Sequence, residues 1–201
     1  MDPAMAHAAL PAHLTPAAVA RFEAYLALLV KWNARMNLTA VRDPEQIVRR
    51  HFSEGIFAAE NLPIGIHTLL DYGSGAGLPG VPIAICRPQI AVTLAESQAK
   101  KSSFLREVVR TLELTAEVWD RRAEEMPANR VFDCVTLRAV DRMAEACVSA
   151  VTRLAPGGHL LVLTTQKAAA ALEVIPALRW GSGIPVPGSE QGVLRLATRG
   201  A

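Results

Sequence analysis

Two acids and a run of glycines define the chemistry open to this chain. Asp71 follows the apolar run His67 to Leu70, and Glu96 follows the run Ile90 to Ala95. Both runs have the length and composition of buried strands. Between them stand Gly73, Gly75, Gly77 and Gly80, four glycines within eight residues. Glycine lets a backbone turn sharply and lets a ligand come close to it. Pro79 sits where a helix should begin, since proline suits a first turn. Arg87-Pro88 stops the short apolar helix that follows. The stretch is a strand–loop–helix–strand half-unit of the nucleotide-binding kind.

The loop reads in two frames. From Gly75 it is G-x-G-x-x-G, with Glu96 about 20 residues on, as in a dinucleotide fingerprint. From Asp71 it is D-x-G-x-G-x-G, the pattern of a loop that cradles S-adenosylmethionine (SAM). Charge separates the frames. A pyrophosphate wants helix N-terminal amides with no carboxylate beside them, whereas the sulfonium and ammonium of SAM are favoured by a carboxylate such as Asp71. Glu96 would hold ribose hydroxyls in either frame. Asp71, Gly75 and Glu96 are therefore candidate cofactor contacts.

At 201 residues, 51% of them hydrophobic, the chain can bury the core of one domain with a small helical appendage. No apolar run nears the ~18 residues of a membrane span. The start, MDPAMAHAALPAHL, carries Asp2 and two prolines and lacks the basic opening of a signal peptide; residues 1–13 read as a loose tail. Cys86, Cys134 and Cys147 form no C-x-x-C pair and stand among apolar residues. Reduced core thiols of a cytoplasmic protein have that pattern. The five histidines show no ligand spacing, so no metal site is expected. A net charge of +2 excludes a generic polyanion binder. Yet Lys31, Arg35, Arg42, Arg49, Arg50 and His51 cluster in one region, and Lys100, Lys101, Arg106 and Arg110 in another. Such local sets mark either a nucleic-acid face or solvated helix surfaces.

These residues need elements to position them. Thr15-Pro16 opens a helix to about Met36, and Asp43-Pro44 opens a second by the same cap logic, with Ile47, Phe52, Ile56 and Ala59 inward. Residues 14–64 thus read as a helical extension and 65–201 as the sheet domain. After Glu96 come a helix from Ala99 to Leu114, a strand from Ala116 to Trp119 and a polar loop at 121–125. A strand from Val131 to Leu137 ends in Arg138-Ala139. A helix from Asp141 to Leu154 is closed by Pro156-Gly157-Gly158. A strand from His159 to Leu163, a helix from Gln166 to Leu178 and a hairpin joining Ile184 to Val193–Ala197 complete the chain. The alternation predicts an α/β fold: a doubly wound, mostly parallel sheet with a C-terminal antiparallel hairpin. Ligands of such sheets sit beyond the carboxyl ends of the strands. Asp71, Glu96, Ala123-Glu124 and Arg138 all fall just past predicted strand ends, so they should line one rim.

Several segments together carry a family resemblance: DYGSGAGLPGVPIAI, ESQAKKSSFLREV, RRAEE, LRA and the leading WNARMNLTAVRDPEQIVRRHF. They resemble the RsmG family, also called GidB, over roughly Phe22 to Leu163. Members are SAM-dependent methyltransferases acting on N7 of a guanine in the 530 loop of 16S ribosomal RNA. The resemblance implies a class I SAM-dependent methyltransferase fold behind a helical extension. It implies that Gly73 and Leu78 contact the cofactor, that Ala123 and Glu124 lie against its adenine, and that Arg138 reaches the active-site pocket near the cofactor. The implied partner is 16S rRNA or the small ribosomal subunit, met by a cytoplasmic monomer with no membrane and no metal. Glu96 replaces the family's more usual Asp and keeps the carboxylate. Leu137 replaces a frequent serine, Ser53-Glu54-Gly55 stands where a residue followed by Asp-Ser is common, and Thr164 to Lys167 stands where a lysine-glycine pair is usual.

Guanine N7 has an exposed lone pair and no proton to lose, so no general base is required. Orientation of N7, methyl and sulfur would carry most of the rate, with Arg138 expected to position cofactor or target. Arg42, Arg49, Arg50, Lys100 and Lys101 are the expected phosphate contacts, with a steep salt dependence. Three other readings are open at this stage: a nicotinamide-dependent oxidoreductase, a non-catalytic RNA-binding or assembly factor on the same fold, and a SAM enzyme acting on a protein or small molecule.

Overall fold

β1 (Thr68–Tyr72) is the strand from which the sheet grows in both directions. The computed structural model describes residues 10–140 and 142–200. On one side of β1 lie β2 (Ala91–Ala95) and β3 (Ala116–Trp119); on the other lie β4 (Phe132–Arg138) and β5 (Leu154–Thr165). These five run parallel. β8 (Gly192–Arg199) pairs antiparallel with β5, and β6 (Leu178–Trp180) and β7 (Ile184–Pro185) pair antiparallel with β8. Strands of the parallel half are covered on both faces, so they read as apolar runs rather than as alternations. Leu69, Leu70, Val135, Leu160 and Val162 are accordingly almost fully buried. The strand order reverses between β1 and β4, which makes their carboxyl ends the switch point.

α1 (Pro16–Asn33) begins where Thr15 Oγ1 accepts the Ala18 amide at 3.2 Å. α2 (Pro44–Gln46) begins where Asp43 accepts the Gln46 amide at 2.8 Å. α2 does not continue as a regular helix. It passes through a π turn (Ile47–Phe52) into α3 (Ser53–Glu60). The wider turn keeps Ile47, Val48, His51 and Phe52 inside while Arg49 and Arg50 stay exposed. α4 (Gly80–Cys86), α5 (Ala99–Thr111), α6 (Met143–Val151) and α7 (Gln166–Ala169) cover the sheet.

The N-terminal helices have no core of their own. Phe22, Tyr25 and Leu29 of α1 and Phe52 of the π turn join Ile83, Leu94 and Leu105 in one cluster. Tyr25 stacks on Phe52 at 4.9 Å. α3 reaches α4 through Gly55: a Cβ there would stand 2.5 Å from Pro82 Cγ. The departure at this position thus has a steric reason.

Four expectations need correction. β1 runs through Tyr72, so Asp71 lies inside the strand rather than beyond it, and β4 includes Arg138. Pro156-Gly157-Gly158 does not close a helix but lies within β5 as an irregularity, where pairing jumps from Phe132↔Leu154 to Cys134↔His159. The segment from Gln166 yields only α7 and a 3-10 turn (Ala170–Leu172), after which the chain becomes β6. Its alanines offer too little apolar surface for a longer helix: only Ala169, Leu172 and Ile175 are buried before β6. The expected helix start at Asp141, and residues 1–9 of the expected tail, lie outside the described residues.

Candidate cofactor site and its supporting junction

The loop after β1 is held from three directions. Ser74 donates its amide to Ala95 O at the end of β2, 2.9 Å away. Tyr25 of α1 donates its hydroxyl to Ala76 O at 2.5 Å. Asp71 accepts the Gly80 amide at 3.2 Å and the Thr136 hydroxyl at 2.9 Å, one on each carboxylate oxygen. Asp71 is 1% exposed, and burial raises its pKa from 3.8 to about 6 against the pull of these bonds. Its carboxylate therefore serves the start of α4. It does not face the space beyond the strands, as the charge argument for a direct contact with SAM requires. The same bond places a carboxylate on the α4 N-terminus, where a pyrophosphate would need free amides.

Beyond the strand ends lies a cavity of about 610 Å³. Gly73, Glu96, Ala123 and Glu124 line it. Asp71, Gly75, Leu78 and Arg138 do not; Leu78 is buried in the core, and Gly75 bonds Glu96, which lines the cavity. Glu96 accepts the Gly75 amide at 3.0 Å on one oxygen and the Gln98 amide at 2.7 Å on the other. Each oxygen keeps a lone pair, so the carboxylate is fixed and still able to accept two hydroxyls. Gly73 has φ +72, and an added Cβ would meet only Val140, at 3.5 Å, in the same cavity wall. A side chain there would fill the space. These features fit SAM: open backbone at Gly73, a diol acceptor at Glu96, and Ala123 as a small apolar neighbour for a base.

Tyr72 and Ser149 also line the cavity and had not been anticipated. The Tyr72 hydroxyl donates to Glu124 at 2.5 Å and lies 3.2 Å from Ser149 Oγ. Burial and then Glu124 push the tyrosine up to about 12. Partial burial works to raise Glu124, but the Tyr72 bond and others outweigh it and hold the carboxyl below its ordinary range. Strand alternation could have flagged Tyr72, the residue next to an inward Asp71. Among the described residues no His, Cys, Asp and Glu group could hold a metal, and no helix is long and apolar enough to cross a membrane.

Residues 18–178 match the family model described as rRNA small subunit methyltransferase G, GidB. The chain belongs to the rRNA small subunit methyltransferase G family. It is 43% identical over 171 residues to Ribosomal RNA small subunit methyltransferase G of Xanthomonas euvesicatoria, covering 83% of this chain and 79% of that one. Against the protein of that name from Stenotrophomonas maltophilia it is 44% identical over 140 residues, 69% of this chain and 65% of that one. The fold is that of class I SAM-dependent methyltransferases. A SAM dependent methyltransferase from Aquifex aeolicus superposes with a TM-score of 0.61 at 16% identity, covering 78% of this chain and 94% of that one. The N-methyltransferase NodS from Bradyrhizobium japonicum does so with 0.57 at 15%, over 75% and 94%.

The leading GidB-family segment and the end of β4 meet in one junction. Asn33 Oδ1 accepts the amides of Leu38 and Thr39, at 2.9 and 3.0 Å, which folds the Asn37-Leu38-Thr39 turn. Thr39 Oγ1 lies 2.8 Å from His51 Nε2. Arg138 Nη2 lies 2.8 Å from His51 Nδ1, and its Nε donates to Glu54 at 2.8 Å. A guanidinium can only donate, so Nδ1 carries the lone pair and Nε2 the proton. Burial, then Arg138 and Arg50, lower the His51 pKa to about 4. Arg138 thus ties β4 to the π turn and α3. The family resemblance implies that Arg138 reaches the active-site pocket near the cofactor; here its guanidinium is taken up by His51 and Glu54, and it does not line the cavity.

The five expected phosphate contacts fall in separate places. Arg42 donates to Asn37 at 2.9 Å and Arg49 pairs with Glu45 at 2.7 Å. Arg49 and Arg50 line a cavity of about 260 Å³ against Pro187–Gln191. Lys100 and Lys101 lie in the first turn of α5, and Lys100 faces α1.

Proposed function

We propose that this chain transfers the methyl group of SAM to N7 of a guanine in the 530 loop of 16S rRNA. The observation that carries the reading is the doubly anchored Glu96 in the cavity at the switch point of a GidB-family chain. Glu96 accepts the ribose hydroxyls, Gly73 gives backbone access, and Ala123 and Glu124 flank the adenine. Gly75 and Leu78 act by shaping the loop, and Asp71 by holding its exit. SAM supplies an electrophilic methyl on a sulfonium.

The chain's own groups suit a direct transfer. His51 is neutral, buried and engaged on both nitrogens. N7 has no proton to remove, so no base is needed there. Burial raises all three thiols, Cys86 and Cys147 to about 12 and Cys134 further, so none is an activated nucleophile. What remains is orientation. Arg138 is a positioning residue that fixes the β4 end against the helical extension, residues 14–64, so that the sheet domain, 65–201, presents one rim. An unpaired loop guanine can be splayed out to enter that rim. Arg42, Arg49, Arg50, Lys100 and Lys101 attract the RNA backbone. The chain works in the cytoplasm, as a monomer, on the small subunit or its RNA.

Labelled SAM offered with small subunits and free 16S rRNA lacking the modification tests this, with the base mapped. Label at one guanine N7 in the 530 loop is expected. Saturable SAM binding with label elsewhere, or with none, overturns the target assignment.

A further inference from the structure

The end of α1 and the start of α5 enclose a cleft of about 390 Å³, separate from the cofactor cavity. Lys31 and Trp32 line it from α1, Arg35 and Met36 from the turn just after α1, and Lys100 and Glu107 from α5. Three cations thus face one carboxylate. Glu107 is engaged at two points: it accepts Trp32 Nε1 at 2.9 Å and pairs with Lys31 at 3.3 Å. Arg35 and Lys100 are exposed and, among the described residues, have no carboxylate partner. Two uncompensated positive charges therefore remain in the cleft.

Trp32 is fixed in place. Its indole N–H bonds Glu107, and its ring meets Phe104 edge-on at 5.7 Å, while the residue stays only half-buried. A rigid aromatic beside free cations is the arrangement by which proteins hold single-stranded nucleic acid. A base stacks on the ring, and the flanking phosphates meet Arg and Lys. The thioether of Met36 adds a soft apolar wall. The cleft also adjoins the reaction rim. Gln98 lines the cofactor cavity and Lys100, two residues on, lines the cleft.

We propose that this cleft binds an unpaired stretch of the RNA substrate next to the target nucleotide, with a base on Trp32 and phosphates on Arg35 and Lys100. The inference deepens the reading of the chain as an rRNA methyltransferase. Trp32 and Arg35 carry it beyond the five phosphate contacts expected from sequence, where Arg35 figures only in a basic cluster.

The test is fluorescence anisotropy of a 12-nucleotide single-stranded RNA, and of its duplex, with the full chain. Wild type is compared with Arg35→Ala, Lys100→Ala, Trp32→Phe and Arg110→Ala. Arg110 is an exposed cation on the same helix that does not line the cleft. Arg35→Ala and Lys100→Ala should each weaken single-strand binding severalfold and each reduce the salt slope by about 0.7, the value per phosphate contact on a single strand. Arg110→Ala should change neither. RNA should quench part of the wild-type tryptophan emission, and Trp32→Phe should abolish that part. Single strand should be preferred over duplex. Equal effects of all three cation variants, an unchanged slope, quenching that survives Trp32→Phe, or equal affinity for the duplex would each overturn the proposal. Because binding is read without methyl transfer, a wild type that binds the oligonucleotide through the cleft but labels no rRNA contradicts the function and not the cleft.

Discussion

The cofactor cavity and the His51–Arg138 junction lie at the ends of adjoining strands and use polar groups in opposite ways. In the cavity, Glu96 and Glu124 each have partners on the protein and still turn toward open space. In the junction, Thr39, His51, Arg138 and Glu54 bond one another, and Arg138 and Glu54 keep only 18% and 21% of their side-chain surface. Half-satisfied groups on a fixed frame are available to a ligand. Groups bonded to one another across elements define the frame. Residue type does not separate the two roles, since both regions hold carboxylates and arginines; what each group faces does, open cavity for Glu96 and Glu124 and another side chain for Glu54 and Arg138.

The comparison breaks first at the junction. Arg138→Ala leaves Glu54 and the His51 lone pair without a donor. It should cost about 2–3 kcal/mol, below the cost for a fully buried pair because both side chains remain partly wet. Chemical denaturation measures this, and methyl transfer should fall with it through kcat. Gly55→Ala is next: the new Cβ must displace the rigid Pro82 ring, at about 1–3 kcal/mol. Tyr25→Phe removes one bond to the loop carbonyl of Ala76, expected at about 1–2 kcal/mol. Thermal unfolding reads both, and SAM affinity should drop in the tyrosine variant alone.

The smallest effect is one of pH. The folded pKa of His51, about 4, lies below its ordinary 6.5. Its contribution to stability is therefore complete above pH 6.5 and declines as pH falls toward 4. The stability gap between wild type and His51→Gln should narrow between about pH 7.5 and 4.5. A gap that widens would mean that His51 is charged in the fold. Asp71 has the opposite sign: with its pKa raised to about 6, its contribution is present at low pH and lost as pH rises through that value.

Much of this was legible in the sequence because the parallel half of the sheet is buried on both faces. β3 falls on the predicted Ala116 to Trp119, and Gly73, Glu96, Ala123 and Glu124 meet at one cavity. Orientation was not legible. Asp71 and Glu96 both follow apolar runs, yet one residue of strand length turns Asp71 inward onto Gly80. The π turn was hidden because its buried residues also satisfy an ordinary helical spacing. β6 was hidden because an alanine-rich segment with Pro176 has helix propensity without a face to bury.

Equilibrium binding of SAM to Glu96→Ala and Glu54→Gln, side by side, tests the division between cavity and junction most directly. Glu96→Ala should bind about 10- to 100-fold more weakly, the equivalent of about 1.5–3 kcal/mol for bonds to a charged acceptor. Glu54→Gln should bind SAM as wild type does while transferring methyl more slowly. Unimpaired SAM binding by Glu96→Ala, or an equal loss in both variants, would contradict the account.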